Sequence, residues 1–205
     1  MKPGYDMLRA SYSLIAPFYD LVIERAMRDA RMQSLRSLPD DAEQKVLLSG
    51  VGTGLDLPLL PKRHHYTALD FNAAMLSQAR PRGTDLQMDW ILGDSMALPF
   101  ANAHFDHVVL HLITAVVPHP ERCLAEAARV LKPGGSIILF DKFLRPRQTA
   151  PLRRLLTPLS RRIATRMDVV FEEILQQVPE LELVSDVPKL LGGWFRGIVL
   201  RKNNQ

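Results

Sequence analysis

An apolar run, Val46-Leu47-Leu48-Ser49, passes directly into Gly50-Val51-Gly52-Thr53-Gly54, three glycines at alternate positions. The chain then restarts with Tyr66-Thr67-Ala68-Leu69 and ends that run on an acid, Asp70. A glycine turn closing one strand and an acid closing the next narrow the choice of fold sharply. At the carboxyl edge of a parallel sheet they place a backbone that a ligand can approach closely beside a carboxylate that accepts hydroxyl hydrogen bonds. The pattern points to a nucleoside-bearing ligand whose ribose hydroxyls donate to Asp70.

The rest of the chain reads as the sheet such a turn needs. Strands are expected at Lys45 to Ser49, Tyr66 to Asp70, Asp89 to Asp94, Phe105 to His111 and Ser136 to Asp141. Phe105 to His111 is apolar enough to be central. Between them fall a helix from Leu55 onward with Pro58 in its first turn, and Ala73 to Ala79 capped by Asn72. A further helix, Glu121 to Leu131, is stopped by Lys132-Pro133-Gly134-Gly135. A helix at Val169 to Val178 and strands at Leu181 to Ser185 and Trp194 to Leu200 close the pattern. Alternating strands and helices predict an α/β, doubly wound, mostly parallel seven-stranded sheet. Residues 3–38 carry apolar positions at three- and four-residue steps and read as helical, broken at Pro17. With 205 residues and 47% hydrophobic content the chain forms one domain, 1–205: a helical segment at 1–40, a ligand-binding core at 45–141 and a basic segment at 142–168.

A single cysteine, Cys123, rules out an internal disulfide, favours a reducing compartment and, in a helical stretch, reads as packing. The N-terminus lacks a signal peptide's apolar region, and the longest apolar stretch, 108–117, is about half a membrane span. A cytoplasmic protein, at most peripheral on the inner membrane face, is expected. The net charge of +4 is uneven: no acid occurs from Lys142 to Met167, a window holding Arg145, Arg147, Arg153, Arg154, Arg161 and Arg162. That window is either a solvated basic helix face or a contact for phosphates of lipid headgroups or nucleic acid.

The ligand can be narrowed further. A dinucleotide turn is spaced Gly-x-Gly-x-x-Gly, whereas Gly50-x-Gly52-x-Gly54 is one residue short, and Asp56 follows where a phosphate would be repelled. A cofactor with an amine and no phosphate, S-adenosylmethionine, fits better. In order along the chain come Gly50-Val51-Gly52-Thr53-Gly54, Leu69-Asp70-Phe71-Asn72, Gly93-Asp94-Ser95-Met96-Ala97-Leu98-Pro99-Phe100, Phe105-Asp106 and Arg129-Val130-Leu131-Lys132-Pro133-Gly134-Gly135. Taken together, this set resembles the class I S-adenosylmethionine-dependent methyltransferases over about residues 12–143, and the resemblance implies their Rossmann-like fold with a helical N-terminal lid. It implies that Gly50, Gly52 and Gly54 line the methionine part of the cofactor, that Asp70 holds both ribose hydroxyls, and that Phe71 and Met75 flank adenine. Asp94 would reach the adenine amine, with Ser95 and Met96 closing that pocket and Leu110 and His111 under the sulfonium. One departure stands out: Ser49 occupies a position where the family usually carries an acid, and Asp56 is a nearby substitute anion.

Ala10-Ser11-Tyr12-Ser13-Leu14-Ile15-Ala16-Pro17-Phe18-Tyr19-Asp20 resembles the N-terminal segment of the small bacterial phosphatidylethanolamine N-methyltransferases and of the quinone-biosynthesis C-methyltransferases. The resemblance makes Tyr19 a lid contact to the cofactor. Short length, Phe140-Asp141-Lys142-Phe143, the Arg/Pro/Leu segment after it and Trp194-Phe195-Arg196 lean toward the phospholipid enzymes. Leucines interleaved with arginines suit an anionic interface, each cation there being worth about 1 kcal/mol. The expected acceptor is therefore a phospholipid or another amphipathic molecule. An attacking amine must be neutral, so Tyr19 and His111 are the candidate catalytic groups. His107 reads as structural and His119 as a loop residue. No His/Cys/Asp cluster has metal-ligand spacing, so no metal is expected. The alternatives are a C-methyltransferase of a quinone precursor, a small-molecule methyltransferase and, in another class, the non-catalytic cofactor-binding regulator that Ser49 leaves open. Nucleic acid is not expected as a partner, because no base-handling motif accompanies the arginines.

Overall fold

The computed structural model describes residues 27–145, 169–190 and 193–204. Tyr19, the 1–26 part of the expected lid, and Arg147, Arg153, Arg154, Arg161 and Arg162 lie outside the described residues. Helix α1 is described over 27–35. The elements that follow are β1 (Lys45–Ser49), β2 (His65–Asp70), α2 (Ala73–Ala79), β3 (Gln87–Leu92), β4 (Phe105–His111), α3 (Pro120–Val130), β5 (Leu131–Lys142), α4 (Phe171–Leu175), β6 (Leu181–Leu190) and β7 (Phe195–Lys202).

The strands form one seven-stranded sheet in the order β3-β2-β1-β4-β5-β7-β6. Pairing is parallel except where β7 runs antiparallel to both β5 and β6. From β1 the chain winds outward through β2 to β3, then returns to the other side of β1 as β4. The carboxyl ends of β1 and β4 therefore diverge, and an open α/β sheet binds ligands at such a switch point.

Alternation along the strands builds a core on each face. Leu47, Leu69, Val108, Leu110, Ile137, Leu139, Ile198 and Leu200 meet Cys123, Leu124 and Ala127 of α3 and Phe171 and Ile174 of α4. Val46, Leu48, Tyr66, Val109 and Ile138 point the other way, toward Leu35, Leu38 and Leu57. Cys123 is packing, as expected: burial pushes its thiol up to about 12, out of the nucleophilic range.

Several boundaries differ from the sequence reading. The helix expected from Leu55 is only a 3-10 turn, Leu57–Leu59. Leu60 precedes Pro61 and is extended at φ −83°, ψ 145°, because the proline ring disfavours the helical region for the residue before it. Strand β5 starts at Leu131 rather than Ser136, and the intervening residues are absorbed as a register shift against β4 between Phe105 and His107. Helix α4 is shorter than expected and β6 longer. No helix among the described residues is long and apolar enough to cross a membrane.

One buried cation ties the antiparallel end together. Arg196 of β7 donates from Nε to Asp186 Oδ1 at 3.0 Å, and from NH2 to Asp186 Oδ2 and to Glu172 Oε1 at 2.7 Å each. NH1 reaches the Leu144 carbonyl at 3.2 Å. The guanidinium thus links β6, β7, α4 and the chain just after β5. The hydrogen bond from Arg196 holds the Asp186 carboxyl below the usual carboxylate range. A carboxyl with a depressed folded pKa contributes stability above its unfolded value and loses it as pH falls through the folded one.

Arg196→Met leaves both carboxylates without their buried partner and should cost about 3 kcal/mol in urea unfolding. It should also flatten the acid limb of the stability-versus-pH profile, which the same titrations repeated at several pH values will read.

Candidate functional site

Ser49 ends β1, and the turn after it is locked to the end of β2. Both the Gly50 and Val51 N–H groups donate to the Leu69 carbonyl, at 2.8 and 3.0 Å. Gly52 follows at φ +57°, a left-handed conformation that favours glycine, and its N–H donates to Asp70 Oδ2 at 2.8 Å. Asp70 Oδ1 accepts from the Asn72 N–H at 2.9 Å, while Asn72 Oδ1 caps α2 by accepting from Ala74 N–H, also at 2.9 Å. The acid at the tip of β2 is therefore held by the glycine turn on one side and by the start of α2 on the other. Burial raises the Asp70 pKa, although these N–H bonds pull the other way.

A cleft opens over these strand tips. Gly50, Gly52, Asp70, Phe71 and Met75 line it together with His111 from β4 and Ile113 and Val116 from the loop after β4. A second hollow shares Phe71, Ile113 and Val116 with the first and adds Asp94, Ser95 and Met96. Asp94 shapes this hollow by accepting from the Met96 N–H at 2.8 Å. The far wall is held by a residue that sequence reasoning did not single out. Asp141, buried at the end of β5, accepts from the Ala115 N–H at 2.9 Å and from the Lys142 N–H at 2.8 Å. Its signal was present: like Asp70, it is an acid ending an apolar strand.

The fold thus brings Gly50, Gly52, Asp70, Phe71, Met75 and His111 to one cleft, and Asp94, Ser95 and Met96 to its neighbour. Gly54 packs behind the turn: a Cβ there would sit 2.8 Å from Leu57 Cδ1 and 3.0 Å from the Ala79 backbone. Leu110 is a correction. Strand alternation turns it into the α3 face of the core, with no part in the cleft. Arg145 is 54% exposed, 3.8 Å from Asp186, and lines neither hollow.

His111 lies at the strand tip as expected, but its ring is engaged on both sides. Nδ1 is 3.1 Å from Asp56 Oδ1, to which it donates, since a carboxylate only accepts. Nε2 is 3.1 Å from Ser34 Oγ. Asp56 also receives Arg31 NH1 at 2.8 Å. Burial pushes the Asp56 carboxyl up, yet Arg31 and His111 outweigh it and hold it well below the usual carboxylate range. Arg31 and Ser34 reach the site from α1, far away in sequence, and nothing in their local sequence marked them. Ser49, where the family resemblance implies an acid, donates from Oγ to Ser95 Oγ at 2.8 Å and so couples the glycine turn to the second hollow.

The residues present fit a nucleoside cofactor. A Cβ built on Gly52 meets nothing within 4 Å, so the backbone at the centre of the turn faces open space that any side chain would take from a ligand. Among the described residues no group of His, Cys, Asp and Glu has the arrangement of a metal site.

Residues 47–139 match the methyltransferase domain family. The chain is 33% identical over 156 residues to a phosphatidylethanolamine N-methyltransferase from Cereibacter sphaeroides, covering 74% of this chain and 76% of that protein. It is also 33% identical over 144 residues to a ubiquinone/menaquinone biosynthesis C-methyltransferase from Ruegeria sp., covering 67% of this chain and 56% of the relative. The fold is shared with a SAM-dependent methyltransferase of Thermotoga maritima at a TM-score of 0.69, with 20% identity over 97% of this chain and 100% of that one.

Asp70→Ala removes the buried carboxylate that the resemblance assigns to the ribose hydroxyls and, on that assignment, should weaken S-adenosylhomocysteine binding about 100-fold, measured by calorimetry. Protonation has the same consequence. Because burial raises the Asp70 pKa, wild-type affinity should fall as the solution is acidified, before ordinary surface carboxylates titrate.

Proposed function

Because the chain belongs to the S-adenosylmethionine-dependent methyltransferases, we propose that it methylates the amine of phosphatidylethanolamine or of its partly methylated forms at a membrane surface. The observation that carries this reading is the reach of the likeness to the Cereibacter sphaeroides phosphatidylethanolamine N-methyltransferase, three quarters of both chains. The quinone C-methyltransferase likeness leaves nearly half of that relative unmatched. It supports the second reading, transfer to the ring carbon of a quinone precursor.

When bound, S-adenosylmethionine supplies a sulfonium methyl that a nucleophile displaces in line. Gly52 and Asp70 hold the nucleoside, and Asp94, Ser95 and Met96 close the adenine side. Alignment and exclusion of water do most of the remaining work, since the leaving group is a neutral thioether. Ile113, Val116 and Leu55 give the cleft apolar walls. Such walls disfavour an ammonium and lower the pKa of an entering amine, which favours the neutral, attacking form. With both ring nitrogens engaged, His111 serves by positioning Asp56 and the β4 tip rather than as the base. Tyr19 remains the proposed lid contact. Arg145, Arg147, Arg153, Arg154, Arg161 and Arg162 are the proposed contacts to anionic lipid, each worth about 1 kcal/mol at such a surface.

The reading is tested with labelled S-adenosylmethionine, offering phosphatidylethanolamine in anionic vesicles beside a demethylated quinone precursor, with Asp70→Ala as control. Label in methylated lipid, lost in the control, is the expected result. Label in the quinone alone overturns the phospholipid reading. Vesicle binding should track anionic lipid content and weaken as salt rises through the physiological range, where charges are screened over about 8 Å; cosedimentation measures it.

A further inference from the structure

The ribose and adenine contacts leave one end of the cleft unexplained. Among the described residues lining it, the charged side chains are Arg31, Asp56 and Asp70. Asp70 sits with Phe71 and Met75, the nucleoside end. Arg31 and Asp56 line the same cleft but, unlike Phe71, not the second hollow, and form an ion pair 2.8 Å apart with side chains only 7% and 9% exposed. Desolvating such a pair is costly, and a well-packed apolar pair would often be as stable. A charged pair retained in the wall of a ligand cleft is therefore suited to a ligand that is itself dipolar.

Resting on the reading that this cleft holds S-adenosylmethionine, we infer that Arg31 and Asp56 bind the zwitterionic amino-acid end of the cofactor, Asp56 taking the ammonium and Arg31 the carboxylate. The planar guanidinium fork matches a carboxylate. Both hydrogen bonds to Asp56 described above fall on Oδ1, and a carboxylate has acceptor sites on both oxygens. His111, braced by Ser34, holds the same Asp56 oxygen as Arg31 and is its positioning residue. Ser49 offers no charge at the end of β1, its hydroxyl proton being committed to Ser95. The anion is thus delivered from the loop after the glycine turn, and its cationic partner from α1, so that the helix becomes part of the cofactor site.

The test is a calorimetric series on the full chain with three thioether nucleosides. These are S-adenosylhomocysteine, its decarboxylated analogue that keeps the amine, and 5′-methylthioadenosine, which lacks both groups. Wild type should lose about 10-fold or more in affinity at each removal. Asp56→Asn should weaken S-adenosylhomocysteine about 30-fold and leave 5′-methylthioadenosine within about 3-fold. Arg31→Lys, which keeps the charge and loses the fork, should shrink the gap between S-adenosylhomocysteine and its decarboxylated analogue. If wild type binds all three alike, or if Asp56→Asn weakens all three in parallel, the pair is structural and the assignment is overturned. The wild-type series can overturn the assignment even if a variant fails to fold, and Arg31→Lys and Asp56→Asn test it at separate residues. Binding of none of the three by wild type overturns the cofactor reading itself, a distinct result.

Discussion

The hydrogen bond from the Gly52 N–H to Asp70 Oδ2 is the contact on which the site depends. It spans the tips of two adjacent parallel strands and fixes the left-handed turn after β1 against the acid that ends β2. With the Asn72 N–H on its other oxygen, Asp70 also sets where α2 starts. A buried carboxylate is tolerated there because backbone N–H groups meet it, and the same carboxylate remains an acceptor for a ligand.

Around that contact the sheet distributes labour between its two ends. The parallel half, β3-β2-β1-β4-β5, supplies strand tips that diverge at β1 and open the cleft. The antiparallel end, β7 and β6, contributes no cleft residue among those described; Arg196 gathers it onto α4 and the end of β5. Two buried acids at strand ends serve different purposes. Asp70 faces the ligand side, whereas Asp141 is spent on the Ala115 N–H and so holds the loop whose Ile113 and Val116 wall the cleft. Glu126 and Asp106 anchor the periphery: Arg129 forks onto Glu126 and the Leu98 and Phe100 carbonyls, and Lys132 with the Lys45 N–H meets Asp106. Of these, Asp106, Arg129 and Lys132 are motif residues, and none lines the cleft among the described residues.

The replacement of an expected acid by Ser49 is absorbed locally. A serine is short enough to reach Ser95 across the strand tips and forms an internal tie between the two hollows. The charge at this end of the cleft is instead carried by Asp56, stabilised as an anion by a guanidinium and an imidazole from two other elements.

What the sequence determined by itself is local and periodic. Lys45–Ser49, Ala73–Ala79 with its Asn72 cap, Phe105–His111, the glycine turn and Asp70 were legible because strand alternation, capping chemistry and positive-φ turns are written in neighbouring residues. Where Pro61 cut a helix short and where β5 took in Lys132 to Gly135, neighbouring signals competed and the packing of β4 against β5 decided. The tertiary structure alone decided that Leu110 faces the core while His111 faces the cleft, because the choice of face depends on which side of the sheet the helices cover. It alone brought Arg31 and Ser34 to Asp56 and His111. Those contacts span 25 and 77 residues, and no local pattern encodes a meeting that only the winding of the sheet produces.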